Sequence, residues 1–216
     1  MIWRDIVLRA VFDNLLKDRQ IESALDIGGG ESEFKKLLNC KTYINMDFGG
    51  IYIDKYGIKE RIKPENMKNP YKHTNDIKID LNDFDMLPFE NNSFSLVIMS
   101  QILEHLFYPE KVIEEAKRIT KGLILVGLPN ELDIIQRLRL LFGNSTMGYN
   151  RGGHHYMFNI EVAREFIETN FKDFKLVKIY YQRIVPTKKI PLLEYLAQNI
   201  PSLFAREMYY LLEKHK

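Results

Sequence analysis

The sequence has a single cysteine, Cys40, among its 216 residues. One cysteine excludes an internal disulfide and any zinc site built from several thiolates. The first residues also lack the basic segment and apolar segment that together mark a secretory leader. Both absences predict a cytoplasmic protein that works in a reducing compartment.

Long apolar runs and an excess of one charge are missing as well. The longest apolar runs, such as 123–128, are far shorter than the roughly 20 residues that cross a membrane as a helix. Lys and Arg total 31 against 29 for Asp and Glu, so the formal net charge is only +2. We therefore expect no membrane span, and a nucleic-acid partner is disfavoured because binding to phosphates needs a basic surface.

What is present is organised around residues 24–34, which read ALDIGGGESEF. A short apolar strand carrying Asp26 passes through three glycines into a predicted helix with Phe34, Leu37 and Leu38 on its apolar face. Glycine is needed where backbone must approach a ligand, because a Cβ would collide there. A helix N-terminus adds free N–H groups and a positive dipole end. The stretch predicts a site for a polar or anionic group, with a tight strand-to-helix connection as the alternative.

A second carboxylate strengthens the ligand interpretation. Asp47 follows the next apolar run, 43–46, about twenty residues past the glycines, where an acid at the tip of the second strand reaches ribose hydroxyls. The two features together predict a cofactor that carries a nucleoside.

Strand-like and helical runs alternate along the rest of the chain. This alternation predicts one domain with a doubly wound, mostly parallel sheet. The predicted strands include 77–81, 93–99, 123–128, 174–182 and 207–213, and the last of these could equally be helical. The predicted helices are 2–17, 109–120, 131–142, the segment capped by Asn159, and 191–199. Ligands of such sheets lie beyond the C-terminal ends of the strands, which here carry Asp26, Asp47, Asp80, Ser100 and Asn130.

Three stretches resemble the class I S-adenosylmethionine-dependent methyltransferases, over roughly residues 22–170. They are the run LDIGGG at 25–30, Asp47 with Asp80–Leu81, and the run 87–106, which contains LPF and LEHL. The third stretch is typical of a large branch that includes many small-molecule methyltransferases. The resemblance implies a Rossmann-like sheet of seven strands, the last antiparallel, with helices on both faces.

The resemblance also implies roles for residues by position. The residues that it assigns to binding S-adenosylmethionine are Asp26, Gly28, Gly29, Gly30, Asp47, Phe48, Asp80, Leu81, Ser100 and Gln101. Among them, Asp26 would lie near the amino group of the methionine portion and Asp47 would hold the ribose. Asp80 and Leu81 would face the adenine, and Ser100 and Gln101 would lie between cofactor and acceptor. The chain departs from the family at Ser32, where many members have a further glycine.

We expect a single domain, 1–216, in which the segment 131–158 acts as a substrate-side lid. Histidines are the main candidates for contact with the acceptor. His105, His154 and His155 are the candidate catalytic residues, since a hydroxyl acceptor must lose a proton. A histidine that only shapes the pocket is the alternative for His105. Tyr149, Arg151 and Tyr156 are the candidate substrate-binding residues. No metal site is expected, because neighbouring histidines do not easily face one ion.

The rest of the domain is a helix over 1–20 before the first strand and a charged excursion over 48–76. After the fourth strand the chain reads MSQI, which differs from the signature of enzymes that methylate exocyclic amines or glutamine amides. No acid directly follows that strand, which argues against magnesium-dependent catechol chemistry. A small hydroxyl- or amine-bearing metabolite, such as a sugar or a quinone-like precursor, is the expected acceptor of a monomer or homodimer.

Two other functions stay open at this level. A nicotinamide-dependent oxidoreductase would also use glycines at a strand end, but Asp26 would repel a pyrophosphate and the glycine spacing differs. A non-catalytic scaffold of the same fold would bind the cofactor without turnover.

Overall fold

The computed structural model describes residues 3–30, 33–47, 52–53, 59–60, 76–148, 153–184 and 190–215. Their strands are β1 (Ser23–Ile27), β2 (Thr42–Asp47), β3 (Tyr52–Ile53), β4 (Lys59–Glu60), β5 (Ile77–Lys78), β6 (Phe94–Ser100), β7 (Thr120–Pro129), β8 (Phe174–Arg183) and β9 (Ala205–Lys214). Seven of them form one sheet in the order β5-β2-β1-β6-β7-β9-β8, while β3 and β4 pair separately.

The directions of the strands confirm the predicted Rossmann-like class. Strands β5, β2, β1, β6 and β7 are parallel neighbours. Strand β9 runs antiparallel to β7 on one side and to β8 on the other. The closing segment is therefore a strand, and it is longer than the predicted 207–213.

Helices cover both faces of the sheet. They are α1 (Trp3–Val11), α2 (Pro109–Ile119), α3 (Ile134–Leu141), α4 (Ile160–Asn170), α5 (Pro191–Asn199) and α6 (Pro201–Phe204). Side chains alternate between the two faces of a strand, so each face builds its own apolar core. Leu25 and Ile27 join the core that contains residues of α2 and α4. Ala24 joins the core that contains residues of α1.

Two asparagine or aspartate caps fix where helices begin. Asn159 accepts hydrogen bonds from the backbone N–H groups of Glu161 and Val162, which confirms the predicted cap of α4. The Asp133 carboxylate accepts from the N–H groups of Ile135 and Gln136 in the same way. Because Asp133 caps it, α3 begins three residues later than the predicted start at residue 131.

The predicted helix after the glycines is wrong. The described residues contain only a 3₁₀ helix, Glu33–Lys36, before the chain turns toward β2. Phe34 and Leu38 are nevertheless buried in the core that contains residues of α1. The apolar pattern therefore predicted which side chains are buried but not the length of the helix. A 3₁₀ helix of four residues has too few aligned peptides to act as the expected dipole.

Two further boundaries differ from the predictions. The predicted strand 77–81 pairs only over Ile77–Lys78, opposite Met46 and Asp47. The N-terminal helix continues from α1 into a π-helical turn, Phe12–Leu16. Most of the charged excursion over 48–76 lies outside the described residues. None of the helices in the described ranges has the length and apolar character needed to cross a membrane.

Candidate functional site

The glycine turn follows β1 directly and is held by the end of β2. Gly28 and Gly30 have φ angles of +73° and +51°, a region that residues with a Cβ rarely adopt. The N–H of Gly28 donates to the Met46 carbonyl at 2.7 Å, and the N–H of Gly30 donates to the Asp47 carboxylate at 2.8 Å. The predicted glycine motif and the predicted acid of β2 are therefore in direct contact.

The turn is packed too closely for side chains. A Cβ at Gly28 would lie 2.5 Å from the Ile102 side chain, and a Cβ at Gly29 would lie 2.4 Å from Asn45 Oδ1. Both separations are far below ordinary contact distance, so glycine is required at each position. The backbone of the turn consequently forms a cradle without side chains of its own.

Polar side chains beneath the turn hold its shape. Asp26 is 1% exposed and accepts a hydrogen bond from the Tyr43 hydroxyl. Burial, together with the neighbouring Asp26 carboxylate, raises the pKa of Tyr43 well above its ordinary value, so Tyr43 keeps its proton. Asn45 donates from Nδ2 to the Gly30 carbonyl at 3.0 Å. Sequence reasoning missed Tyr43 and Asn45. Positions 43, 45 and 47 are two residues apart along β2, so all three side chains lie on one face of the strand.

Asp80 and Leu81 follow the edge strand β5, on the same side of the sheet as Asp47. Asp80 Oδ1 accepts from the backbone N–H of Asn82 at 2.9 Å, which fixes a tight turn. Leu81 is buried in the core on the α2 side. These two predicted residues therefore belong to a loop and not to a strand.

The end of β6 carries the predicted pair Ser100 and Gln101. Ser100 is 4% exposed, and neither its Oγ nor the Nε2 of Gln101 has a hydrogen-bond partner among the described residues. Gln101 also has a φ of +58°, a strained conformation that clusters at functional sites. A Cβ at Gly127 of β7 would lie 2.6 Å from the Tyr209 ring and 3.2 Å from the Ser100 hydroxyl, so glycine is needed where these two side chains pack against β7.

The histidines predicted as catalytic come together from two segments. His105 ends the 3₁₀ helix Leu103–His105, and its ring packs edge-on against the His154 ring with centroids 4.7 Å apart. The N–H of His155 donates to the Glu104 carbonyl at 2.7 Å. The His155 ring packs against Phe107 at 4.2 Å, and the Tyr156 hydroxyl donates to the Phe107 carbonyl at 3.1 Å.

Two glutamates that sequence reasoning missed border these histidines. Glu131 Oε1 lies 2.7 Å from His154 Nδ1, and both side chains are nearly buried. Although burial raises the pKa of Glu131, hydrogen bonds from His154, Thr146 and Gly148 hold this pKa below its ordinary value. Glu104 is fully buried beside His105. The run LEHL at 103–106 was the available signal for Glu104, whereas no spacing along the chain pointed to Glu131.

Other predicted residues lie outside this arrangement. Phe48, Tyr149 and Arg151 fall outside the described residues. Asn130 does follow β7, but its Nδ2 donates to the Ala205 carbonyl at 2.8 Å. The expectation that this amide joins the acids of the site is wrong, because it ties β7 to β9 instead.

A cavity of about 530 Å³ lies beside Asn130, between α3 and the start of α4. Its lining includes Arg137, Arg164 and Glu165 on the outer parts of these helices. The lining contains none of the glycine-turn or histidine residues described above. The site is therefore defined by the edge of the sheet and not by this cavity.

Known proteins resemble the chain in sequence and in fold. Residues 25–123 match the family described as methyltransferase domain. An uncharacterised protein of Methanocaldococcus jannaschii is 22% identical over 192 residues, which cover 88% of this chain and 84% of that protein.

Two solved structures show the same fold. A SAM-dependent methyltransferase of Thermotoga maritima has a TM-score of 0.58 at 14% identity, covering 99% of this chain and 89% of that one. A SAM-dependent methyltransferase of Archaeoglobus fulgidus has a TM-score of 0.57 at 17% identity, covering 99% and 95%.

The family match begins at Leu25, in the last half of β1, and spans the glycine turn, Asp47 and the LEHL run. The order of the strands and the antiparallel β9 agree with it. These findings favour a methyltransferase over the nicotinamide-dependent oxidoreductase. Over residues 25–123 the chain matches the methyltransferase domain family, its fold is that of the S-adenosylmethionine-dependent methyltransferases, and S-adenosylmethionine is the cofactor that these findings support.

Proposed function

We propose that this enzyme transfers the methyl group of S-adenosylmethionine to a hydroxyl or amine of a small molecule, such as a sugar or a quinone-like precursor. The observation that carries the proposal is a backbone hydrogen bond between the 3₁₀ helix that follows β6 and the segment that precedes α4. There the N–H of His155 donates to the Glu104 carbonyl at 2.7 Å, next to Ser100 and Gln101. In this proposal the histidines face the place where an acceptor would meet the cofactor.

The residues at the sheet edge fit the cofactor. The bare cradle at Gly28–Gly30 lets the backbone approach a ligand, and Ser100 Oγ is a buried polar atom without a partner in the described part of the chain. We propose that the cradle and Asp26 hold the methionine portion and that Asp47 and Phe48 hold the ribose side. Asp80 and Leu81 would border the adenine. Bound S-adenosylmethionine supplies a methyl group that is already activated by the positive charge on its sulfur.

Ser100 and Gln101 are proposed to lie between cofactor and acceptor. The left-handed backbone at Gln101 turns the chain sharply after β6, into the segment that carries Glu104 and His105. Holding an acceptor atom in line with the methyl group can lower the barrier by about 7–11 kcal/mol. The chain needs little other chemistry for an amine acceptor.

A hydroxyl acceptor must also lose its proton. His105, His154 and His155 are the proposed residues on the acceptor side, and Glu131 fixes the His154 ring at 2.7 Å. Tyr156 is the proposed substrate contact from the same segment, joined by Tyr149 and Arg151. In this proposal the single domain, 1–216, uses residues 131–158 as the wall or lid over the acceptor.

A small acceptor is favoured by charge. With a net charge of only +2, the chain has too small an excess of basic residues to indicate binding to a phosphate backbone. The likeness to solved structures, at 14% and 17% identity, concerns the fold, so it does not choose the acceptor.

The test is a transfer assay with methyl-labelled S-adenosylmethionine and pools of hydroxyl- and amine-bearing metabolites, followed by mass spectrometry of the labelled product. We expect labelled small molecules with the wild type and with Gly122→Ala, which lies in open space in β7. Asp47→Ala should lose most of the transfer. Label appearing only in RNA or protein would contradict the proposed acceptor. Confirmed cofactor binding without any transfer would favour the scaffold alternative.

A further inference from the structure

Three side chains with metal-binding atoms converge beside the end of β6. Glu104, His105 and His154 each offer one ligand atom, and these atoms all lie within 4.8 Å of one another. Glu104 is fully buried, whereas the two histidines are partly accessible. One carboxylate and two partly accessible imidazoles are a typical donor set for a catalytic divalent metal.

Backbone contacts hold the two contributing segments together. Glu104 and His105 lie on the 3₁₀ helix that follows β6, and His154 comes from the segment before α4. The Glu104 carbonyl accepts from the N–H of His155 at 2.7 Å and from the N–H of Tyr156 at 3.4 Å. These backbone hydrogen bonds therefore hold the two segments, and with them the three residues of the cluster, next to each other.

A second, independent observation is the partner of His154. Its Nδ1 lies 2.7 Å from Glu131 Oε1, with the Glu131 side chain 5% exposed. Metal-binding histidines almost always donate their other ring N–H to a carboxylate or carbonyl, which orients the ring and raises its basicity. With Nδ1 engaged, Nε2 is the atom of His154 left to bind an ion.

Gly148 makes this pair sterically possible. A Cβ at this position would lie 1.9 Å from Glu131 Oε1 and 2.4 Å from His154 Nδ1. The N–H of His154 also donates to the Gly148 carbonyl at 3.5 Å. The chain thus leaves out a side chain where a carboxylate and an imidazole must meet.

We propose that Glu104, His105 and His154 bind a divalent transition-metal ion, with Glu131 positioning His154. Metal–nitrogen bonds of about 2.1 Å place neighbouring ligand atoms about 3.4 Å apart in a tetrahedral site. The side chains must therefore close by about 1.4 Å from the 4.8 Å limit, which is within reach of side-chain rotation. Imidazole ligands favour Zn²⁺ and Co²⁺ over Ca²⁺ and Mg²⁺, which prefer oxygen, and Mn²⁺ accepts the mixed set of one carboxylate and two imidazoles with lower affinity.

The use of this ion rests on the proposed function. A divalent ion beside the acceptor would lower the pKa of an acceptor hydroxyl, whose proton would pass to solvent as the oxygen binds the ion. An amine acceptor gains nothing comparable, because binding to the ion occupies the lone pair that must attack. The metal site therefore narrows the acceptor class to molecules with a hydroxyl group.

Metal binding is tested on the full chain after removal of metals with a chelator. We expect calorimetry to detect one equivalent of Zn²⁺, Co²⁺ or Mn²⁺, and Mg²⁺ to bind at least tenfold more weakly. Bound Co²⁺ should also give a visible absorption spectrum that titrates to one equivalent. The proposal would be overturned if none of the three ions bound at one equivalent.

Variants locate the site. Glu104→Gln preserves the shape of a buried side chain and should weaken Co²⁺ binding at least tenfold, as should His154→Ala. Glu131→Gln should weaken it about tenfold, the usual effect of losing the carboxylate behind a ligand histidine. The matched control is His215→Ala, which removes an exposed histidine near the C-terminus and should leave affinity unchanged. Equal affinity in the control and in folded Glu104→Gln and His154→Ala would place the ion elsewhere and refute the inference.

The two proposals fail in different ways. Methyl transfer to a small molecule by a chain that shows no stoichiometric metal site in calorimetry would refute the metal site and leave the proposed function standing. A stoichiometric metal site in a chain that methylates no small molecule would refute the proposed function alone.

Discussion

A methyl group at position 29 has no space in this fold. In Gly29→Ala the new Cβ would lie 2.4 Å from Asn45 Oδ1 and 2.6 Å from Asp26 Cγ. Both neighbours are only 1% exposed, so neither side chain can swing into solvent. Ordinary contact begins near 3.4 Å, which leaves an overlap of up to 1.0 Å to be relieved by moving the turn.

The cost follows from that overlap. Overpacking of a well-packed interior destabilises a protein by about 1–3 kcal/mol. For a chain of this size each kcal/mol lowers the melting temperature by about 2–4 °C, so we expect a drop of about 2–12 °C. Movement of the turn also disturbs the hydrogen bond from Gly30 to Asp47, and affinity for S-adenosylhomocysteine should fall at least tenfold.

Differential scanning fluorimetry with and without S-adenosylhomocysteine, together with calorimetry, measures both effects. Gly122→Ala is the matched control, because a Cβ there meets nothing within 4 Å. We expect it to stay within about 0.5 kcal/mol of the wild type. A Gly29→Ala protein with unchanged melting temperature would refute the packing argument. A destabilised variant with unchanged affinity would show that the cofactor lies away from this turn.

Three further substitutions test other parts of the fold. Asp47→Ala should weaken S-adenosylmethionine binding at least tenfold, about 1.4 kcal/mol, in calorimetry, and an unchanged dissociation constant would refute the role of β2. The hydrogen bond from Arg118 holds the pKa of Glu115 below its ordinary value, so the stabilisation from Glu115 is present above pH 4.5 and is lost as the pH falls through the lowered pKa. Glu115→Gln should therefore cost about 1 kcal/mol in urea unfolding at neutral pH and less under acid conditions; an equal loss at both would contradict this. Asn159→Ala removes the cap of α4 and should cost about 1 kcal/mol, whereas a cost near zero would refute the capping role.

Much of the fold could be predicted from local pattern. Apolar runs such as 94–100 and 123–128 became central parallel strands, because a strand buried on both faces needs apolar side chains throughout. Pro109 and Asn159 marked the starts of α2 and α4 through chemistry confined to one turn. The predicted start of α3 was wrong although Asp133 is a local cap of the same kind, because the apolar pattern from residue 131 was followed and the cap was overlooked.

In the candidate site too, short-range features could be predicted from the sequence and contacts between strands could not. Local sequence predicted Gly28, Gly30 and Asp47, because a bare turn after a strand and an acid at the tip of the next strand are short-range features. It could not predict the hydrogen bond from Tyr43 to Asp26 or the packing of Asn45 against Gly29, since these depend on the register between β1 and β2.

The sequence by itself determined the class of fold, the glycine turn and the candidate histidines, since each of these depends on residues that lie close together along the chain. Only the tertiary structure joined Glu104, Glu131 and His154 into one cluster. These residues lie up to 50 positions apart (104 to 154) and meet because parallel strands deliver their following loops to the same edge of the sheet. The chemistry of that cluster is therefore a property of the folded sheet, which no short stretch of sequence contains.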